Sequence, residues 1–508
     1  MKFKKLEILS KDETIAINSA SLQLLATTGI KVESPSAKKV FFEYGATEDN
    51  ETGMVLLPEY LVKDRIKSIP KSFKLHGVNE KSSYEISIEK SQFATIGTPV
   101  KIYDPSKKSG VRKSVLEDTI KQIKIVDSLD NIINSHVDVW PNDVPYLSLH
   151  VHLIRTWAMH SIHKPYGLGC FGRLPSQDMM DITSMIVGGI DNLKKYPRLM
   201  GFFNTTSPLL LPQILTNGFE VFAKNMQPTI IAPEAMAGST APVTLAGLLV
   251  QTNAEVLAGA LFSQLIRPGA PVLYGTVSNV ADPHSGNSAM GSIETGLITS
   301  AMAQLARFYG IPSRGPGCVT DSKVFDLQNG FERMHTLLLA AQSGINYITC
   351  AGTYEATLAE ALELLVIDDE LAGMTSRMLE GIEVNEKTMA IDVIKNVATS
   401  QQKGKSFLNE SHTIKNMRKA LFIPKLADRE RRGRWKKNGA KDIMAVARER
   451  VDKILEQHES RQLDKDLDEK LLKFIKQVET RTMEFYRKEE GLESQSVDLP
   501  AGTDEESL

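Results

Sequence analysis

The chain has 508 residues, 42% of them hydrophobic and 24% charged, ordinary proportions for a globular protein with length enough for a large core. Its net charge of −2 excludes a general electrostatic draw toward nucleic acid or an anionic membrane. Three widely separated cysteines, Cys170, Cys318 and Cys350, argue against a disulfide framework or a zinc motif, so a reducing cytoplasm is expected.

The opening MKFKKLEILSKDE is charged and lacks the apolar stretch of a signal peptide. Asp12 to Gly29 has helical spacing (Ile15, Ala16, Leu22, Leu25) and closes on a glycine. Short alternating runs such as YEISI, between Met54 and Phe93, predict a small sheet beside the main body. Residues 1–98 are therefore read as an α+β extension without a chemical motif.

From Asn131 a rhythm sets in. The apolar runs NIINSHVDVW, PYGLGCF, RLMGFFN, TIIAPEAM, PVLYGTVS, IPSRGPG and NYITCAG alternate with helix-patterned stretches. Seven strand–helix units, with an eighth expected between Tyr354 and Asp369, match a TIM (β/α)8 barrel over residues 99–374. No GxGxxG follows the first run, which disfavours an open dinucleotide-binding sheet. The window Pro242 to Leu261 is apolar but interrupted by Gln251, Asn253 and Glu255, so it reads as a buried helix and not a membrane span. Residues 375–490 are helical and charged, and 491–508 form an acidic tail expected to be disordered.

In such a barrel the active site lies at the C-terminal ends of the strands. Those ends read Trp140, Phe171, Asn204, Glu234, Tyr274, Arg314 and Tyr354. Gln328 and Glu355 stand among the polar residues just after the last two strands. Aromatic faces with one carboxylate suit a cation that cannot donate many hydrogen bonds, such as a quaternary ammonium. Glu234 and Tyr274 are the expected catalytic pair, and Trp140, Phe171, Asn204, Arg314, Gln328, Tyr354 and Glu355 the expected substrate contacts. The competing reading makes each aromatic an ordinary packed side chain. No metal-ligand cluster is found, since His150, His152, His160 and His163 lack ligand spacing. Lys323 invites comparison with Schiff-base lysines of barrel lyases, but it lies beyond the strand, in the loop TDSK. The six basic residues around Trp435 read as a solvated helix face or a dock for an acidic partner.

The segments EAMAGSTAPVTLAG, GCVTDSKVFDLQNGFE, LVIDDELAGM and HTIKNMRKALFIPKLADR, followed by Trp435, resemble the trimethylamine:corrinoid methyltransferase superfamily over about residues 10 to 455. That resemblance implies a barrel that passes a methyl group from a methylated amine to the Co(I) corrinoid of a separate small protein. The cognate corrinoid protein is the implied partner, and cobalamin-type corrinoid the implied acceptor, with no tightly bound cofactor and with homo-oligomers expected. Trimethylamine enzymes of the superfamily carry pyrrolysine late in the barrel; here every residue is standard, including the corresponding region near Gly352–Glu355. Pyrrolysine is thought to activate an uncharged amine, whereas a quaternary ammonium already has a neutral amine as leaving group. The implied substrates are therefore betaines: glycine betaine, carnitine, proline betaine or γ-butyrobetaine. Two other readings stand beside this one, a lysine-based barrel lyase and a non-catalytic betaine-binding barrel.

Overall fold

The structure is a computed structural model, and it describes residues 4–492 apart from 97–98, 137–138 and 403. Eight parallel strands make one sheet: β1 (Gln92–Phe93), β2 (Ser135–His136), β3 (Tyr166–Gly169), β4 (Leu199–Phe203), β5 (Thr229–Ile231), β6 (Val272–Gly275), β7 (Ser313–Pro316) and β8 (Tyr347–Thr349). Their order is β1-β8-β7-β6-β5-β4-β3-β2. The two ends meet, because Phe93 bridges Ile132 in parallel and the Ile133 N–H donates to the Phe93 carbonyl at 2.8 Å. A parallel sheet with its ends joined is a closed barrel without free edges.

The eighth strand is not where the rhythm of the sequence suggests. It is β1, from the stretch assigned to the extension, and it pairs with β8 and borders β2. Only two of its residues join the ladder, so no long apolar run marks it. The stretch from Tyr354 instead forms a hairpin, Thr353–Tyr354 against Ala359–Glu360, and enters the last barrel helix.

Eight helices follow the strands: α1 (Leu116–Ser128), α2 (Leu149–His160), α3 (Arg173–Val187), α4 (Gln213–Lys224), α5 (Leu245–Ile266), α6 (Ile293–Tyr309), α7 (Leu327–Ser343) and α8 (Leu362–Glu380). The Asp326 side chain caps α7 by accepting from the Asn329 N–H, and Gly344 ends it at φ +83, a left-handed geometry that favours glycine. Long and apolar on all sides, α5 passes a length-and-composition test for a membrane span, yet 78% of that window is buried inside the protein. Its polar residues are bonded: Gln251 donates to the Thr240 carbonyl, and Glu255 accepts from Thr205 and Ser207. The N-terminal segment covers it, with Ser21 donating to the Val250 carbonyl and the rings of Phe41 and Phe262 5.6 Å apart.

After α8, helix Ile443–Gln457 packs on α8 and α1. Helices Lys465–Glu479 and Met483–Glu490 return to the α2–α3 side, where Arg155 meets Asp468 at 2.9 Å and Arg481 meets Asp178 at 2.6 Å. The acidic stretch 493–508 lies outside the described residues.

Candidate active site

Side chains alternate between the two faces of a strand, so the register decides which residues point into the barrel. Gly275 pairs with Arg314, and Arg314 with Tyr347. Met200, Ile230, Leu273, Tyr347 and Cys350 share the inner cluster, with Phe202 packed against it. Arg314 is thus an inner residue, and it is 1% exposed. One terminal nitrogen donates to the Thr276 carbonyl at 2.6 Å, the other approaches the Cys350 sulfur at 3.8 Å, and the Nε–H has no partner among the described residues. The guanidinium lies over the Phe202 ring, 5.2 Å from its centroid. Among the described residues no carboxylate comes within ion-pair distance of it.

Glu234 follows β5 and is reached by solvent, although protein surrounds it. The low polarity of that surrounding raises its carboxyl pKa, and the Arg314 charge pulls in the opposite direction. Arg314 in turn has its pKa lowered by burial, with Cys350 and Glu234 opposing the fall. A half-solvated carboxylate and a buried guanidinium therefore feel each other across one mouth without forming a contact pair.

Aromatic side chains border them. Gly169 pairs with Phe202, so both share the inner face, and a side chain at 169 would collide with the Phe171 ring. Phe171 thus closes over the inner face of Gly169 beside Phe202. Trp140 stands edge-on to Phe171 at 5.4 Å, and Tyr146 lies 6.3 Å from Trp140. Deeper in, Gly167 leaves room for the imidazole of His136, whose pKa is lowered to about 3 by burial and by the Arg314 charge. Its Nε2 has no partner among the described residues. Asn134 donates to the Tyr347 hydroxyl at 2.6 Å.

Over the rim leans the hairpin after β8. Its turn residues Glu355, Ala356 and Thr357 all have left-handed φ values, +53, +51 and +70, and Ala356 packs on the inner cluster. Non-glycine residues in that region cost roughly 1–3 kcal/mol each, so the surroundings must hold them. The Ala356 and Glu355 N–H groups donate to the carbonyls of Thr320 and Ser322 in the preceding loop. Beneath, the buried Arg333 pairs with Asp368 and donates to the Thr353 carbonyl, while Asp368 accepts the Gly352 N–H at 2.7 Å.

Of the expected set, Glu234 and Arg314 act on each other across the mouth, while Phe171 closes over Gly169 with Trp140 edge-on to it. Asn204 stands beside them, its amide donating to the Ala232 carbonyl at 2.9 Å and so bracing the segment that carries Glu234. Tyr274 is not in the mouth. Its neighbour Gly275 faces in, so the phenol faces out, donating to Asn253 of α5 at 2.6 Å with its ring 5.8 Å from that of Tyr309. Tyr354 is likewise removed: it is buried in a satellite core with Ala359, Ala361 and Leu364, its ring 5.2 Å from Phe325. Gln328 is exposed on α7 and bonds Glu332, and Glu355 occupies the turn described above. Phe202 and His136 are the mouth residues that reading strand ends overlooks, because they lie within or just before the ladder's end; alternation from Gly169 and Gly167 is the signal that finds them.

Lys323 is exposed in the loop after β7. His150, His152, His160 and His163 bond separately to Asp178, Glu479, Ser460 and Ser82. Among the described residues no group of three or more His, Cys, Asp or Glu could hold a metal ion.

The family described as Trimethylamine methyltransferase matches residues 1–483. A glycine betaine methyltransferase of Desulfitobacterium hafniense (strain Y51) is 34% identical over 476 residues, covering 93% of this chain and 97% of the relative. A trimethylamine methyltransferase of Methanosarcina thermophila is 33% identical over 474 residues, covering 91% and 95%. Among solved structures, the Methanosarcina barkeri monomethylamine methyltransferase aligns over 87% of this chain and 93% of its own with 13% identity and a TM-score of 0.44, a likeness too distant to bear on the site.

Proposed function

The chain belongs to the trimethylamine methyltransferase family, and from that premise we propose that it demethylates a betaine-type quaternary amine and passes the methyl group to the Co(I) corrinoid of a small partner protein. One observation carries the reading: a carboxylate and a guanidinium whose Nε–H has no partner among the described residues face one barrel mouth, with an aromatic ring beside them. A betaine carries the complementary pair of charges. Its ammonium suits Glu234 and the aromatic faces of Phe202, Phe171 and Trp140. Its carboxylate suits Arg314, which binds carboxylates through forked, charge-assisted hydrogen bonds.

The methyl group leaves nitrogen while the C–N bonding pair stays behind, so the leaving group is a neutral tertiary amine. That group needs no proton and no prior activation, in keeping with the absence of pyrrolysine from the sequence. The protein's part is to orient one methyl outward, to balance the ammonium until it is discharged, and to limit water in the mouth. The acceptor is too large to enter and has to approach the rim. There Val243, Ile293, Leu327, Phe331 and Leu358 are exposed at the starts of α5, α6 and α7 and at the hairpin tip, an apolar surround suited to a protein partner. All three thiols are buried and free, which supports a reducing cytoplasm. The lyase reading has no support from Lys323, which is exposed in the loop after β7.

Incubating the protein with glycine betaine and Co(I) cobalamin should yield methylcobalamin and dimethylglycine, with trimethylamine inert. Turnover of trimethylamine but not of any betaine would reject the proposal.

A further inference from the structure

The start of α3 is capped by a residue from far along the chain. Its N-cap is Gly172, which has no side chain to accept the first free N–H groups, and its first turn reads RLPS, without an acid to meet the helix dipole. Glu490 supplies what is missing. One oxygen of its carboxylate accepts the Leu174 N–H at 3.0 Å, and the other accepts from the Asn217 amide at 2.9 Å. The acid is buried, and Gln213 holds its backbone by donating to the Glu490 carbonyl at 2.7 Å. A Cβ added at Gly172 would lie 2.7 Å from the same carboxylate, so the glycine makes room for the cap.

Glu490 ends the helix Met483–Glu490, whose other buried residue is Tyr486. It lies past residue 483, where the family match stops. The Tyr486 hydroxyl donates to the Leu147 carbonyl at 3.0 Å, within the short 3-10 turn Tyr146–Ser148 that leads into α2. Arg481, just before the helix, is tied to Asp178 of α3 by two hydrogen bonds of 2.6 and 3.1 Å. One helix thus grips two segments at once.

Both segments belong to the mouth, because barrel helices begin at the face that holds the active site. Phe171 immediately precedes Gly172, and its ring lies over Gly169 of the inner face. Tyr146 immediately precedes Leu147. Between the two rings stands Trp140, 5.4 Å from Phe171 and 6.3 Å from Tyr146. Arg314 is on β7, across the barrel from β3, and is held by contacts of its own.

We propose, resting on the quaternary-ammonium reading of the mouth, that Glu490 is a positioning residue: its carboxylate, helped by Tyr486, fixes the loops that carry Phe171 and Tyr146 and so sets how tightly the ammonium is held. The carboxylate anchor at Arg314 lies outside its reach. Loss of the clasp therefore bears on the cation and not on the other end of the substrate.

The test compares the full chain with its Glu490→Ala and Glu490→Gln variants, by kinetics with Co(I) cobalamin as methyl acceptor and by hydrogen exchange. Alanine removes both acceptors and should raise KM for glycine betaine and for tetramethylammonium alike by about fivefold, with kcat within about twofold of wild type. Exchange over residues 171–176 should quicken at least about tenfold, while residues 245–266 of α5 keep their protection. Glutamine keeps the volume and one acceptor, so its KM should fall between the other two; should the alanine variant fail to fold, glutamine carries the same comparison. A residue that only stabilised the fold would lower the active fraction, and with it kcat, and leave KM alone. Adding Glu490→Ala to Phe171→Leu should raise KM by no more than about twofold over Phe171→Leu by itself, since the one acts through the other. An active wild type with KM or local exchange unmoved in the variants, or a double variant whose losses multiply, would overturn the positioning role alone. A wild type that demethylates neither compound would overturn the reading of the mouth and this role together.

Discussion

Gly275 and Arg314 are cross-strand partners on the inner face of the barrel. Their pairing fixes two outcomes at once: the guanidinium points into the mouth, and the side chain of Tyr274, one residue before the glycine, points out toward α5. A side chain added at 275 would meet the Ile231 carbonyl oxygen at 2.7 Å, so the position is closed to anything larger than glycine.

Arg314→Ala should raise KM for a betaine by roughly thirtyfold or more, in line with about 2–4 kcal/mol for a lost charge-assisted contact. Tetramethylammonium, which has no carboxylate, should be affected far less. Steady-state kinetics with both compounds decides the matter: equal losses would make Arg314 a purely structural residue.

Phe202→Leu should weaken both of those substrates, by up to roughly thirtyfold, because it removes an aromatic face offered to the ammonium, and the betaine should lose at least as much because the same ring lies beneath Arg314. A loss confined to the betaine would contradict that role.

The weakly polar surroundings raise the Glu234 carboxyl pKa, so the group takes up its charge at a higher pH than an ordinary carboxyl. Capture of the cation should then fall as pH drops through that raised midpoint. Glu234→Gln should remove this limb and lower kcat/KM at neutral pH by about tenfold. The sign for stability is the reverse: a carboxyl whose pKa is raised by folding opposes folding once ionised, so the Gln variant should match or exceed the wild-type unfolding midpoint at neutral pH. A pH profile unchanged by the substitution would show that another group titrates.

Tyr274→Phe should leave KM and kcat nearly unchanged and cost about 1 kcal/mol of stability, the worth of its hydrogen bond to Asn253. A large kinetic loss with intact stability would return the phenol to the mechanism.

Arg333→Ala strands the buried Asp368 carboxylate and should destabilise the protein by about 3–5 kcal/mol, read from the shift in denaturant or thermal midpoint. Replacing both partners by leucine should cost less than the single change, because no unpaired charge is left inside.

Much of the fold was legible because seven barrel strands are short apolar runs separated by amphipathic helices. The eighth was not, since Gln92–Phe93 is held by neighbours from Ile132 and Tyr347 and has little apolar content of its own. Glu234 and Arg314 could be picked out as charges next to apolar runs. Closeness to a strand end says nothing about which face a residue occupies, and one step along a strand reverses the face, which is why Tyr274 points away from the mouth. Tyr354 leaves the mouth for a different reason: the chain turns into a hairpin just there, carrying the ring into a separate core.

The seam of the barrel has a consequence for how the protein comes into being. Gln92 and Tyr347 are neighbours in space, yet nearly the whole barrel lies between them in sequence. As the chain leaves the ribosome, β1 through β7 emerge with two unpaired edges that only the last strand can join, and such edges invite association with other chains. Tyr347 and Cys350, which line the chamber around Arg314, arrive with that same strand. Closing the barrel and completing the chamber are therefore one late event in synthesis, and a chain cut short before residue 347 would have an open sheet and a chamber lacking the wall that Tyr347 and Cys350 supply.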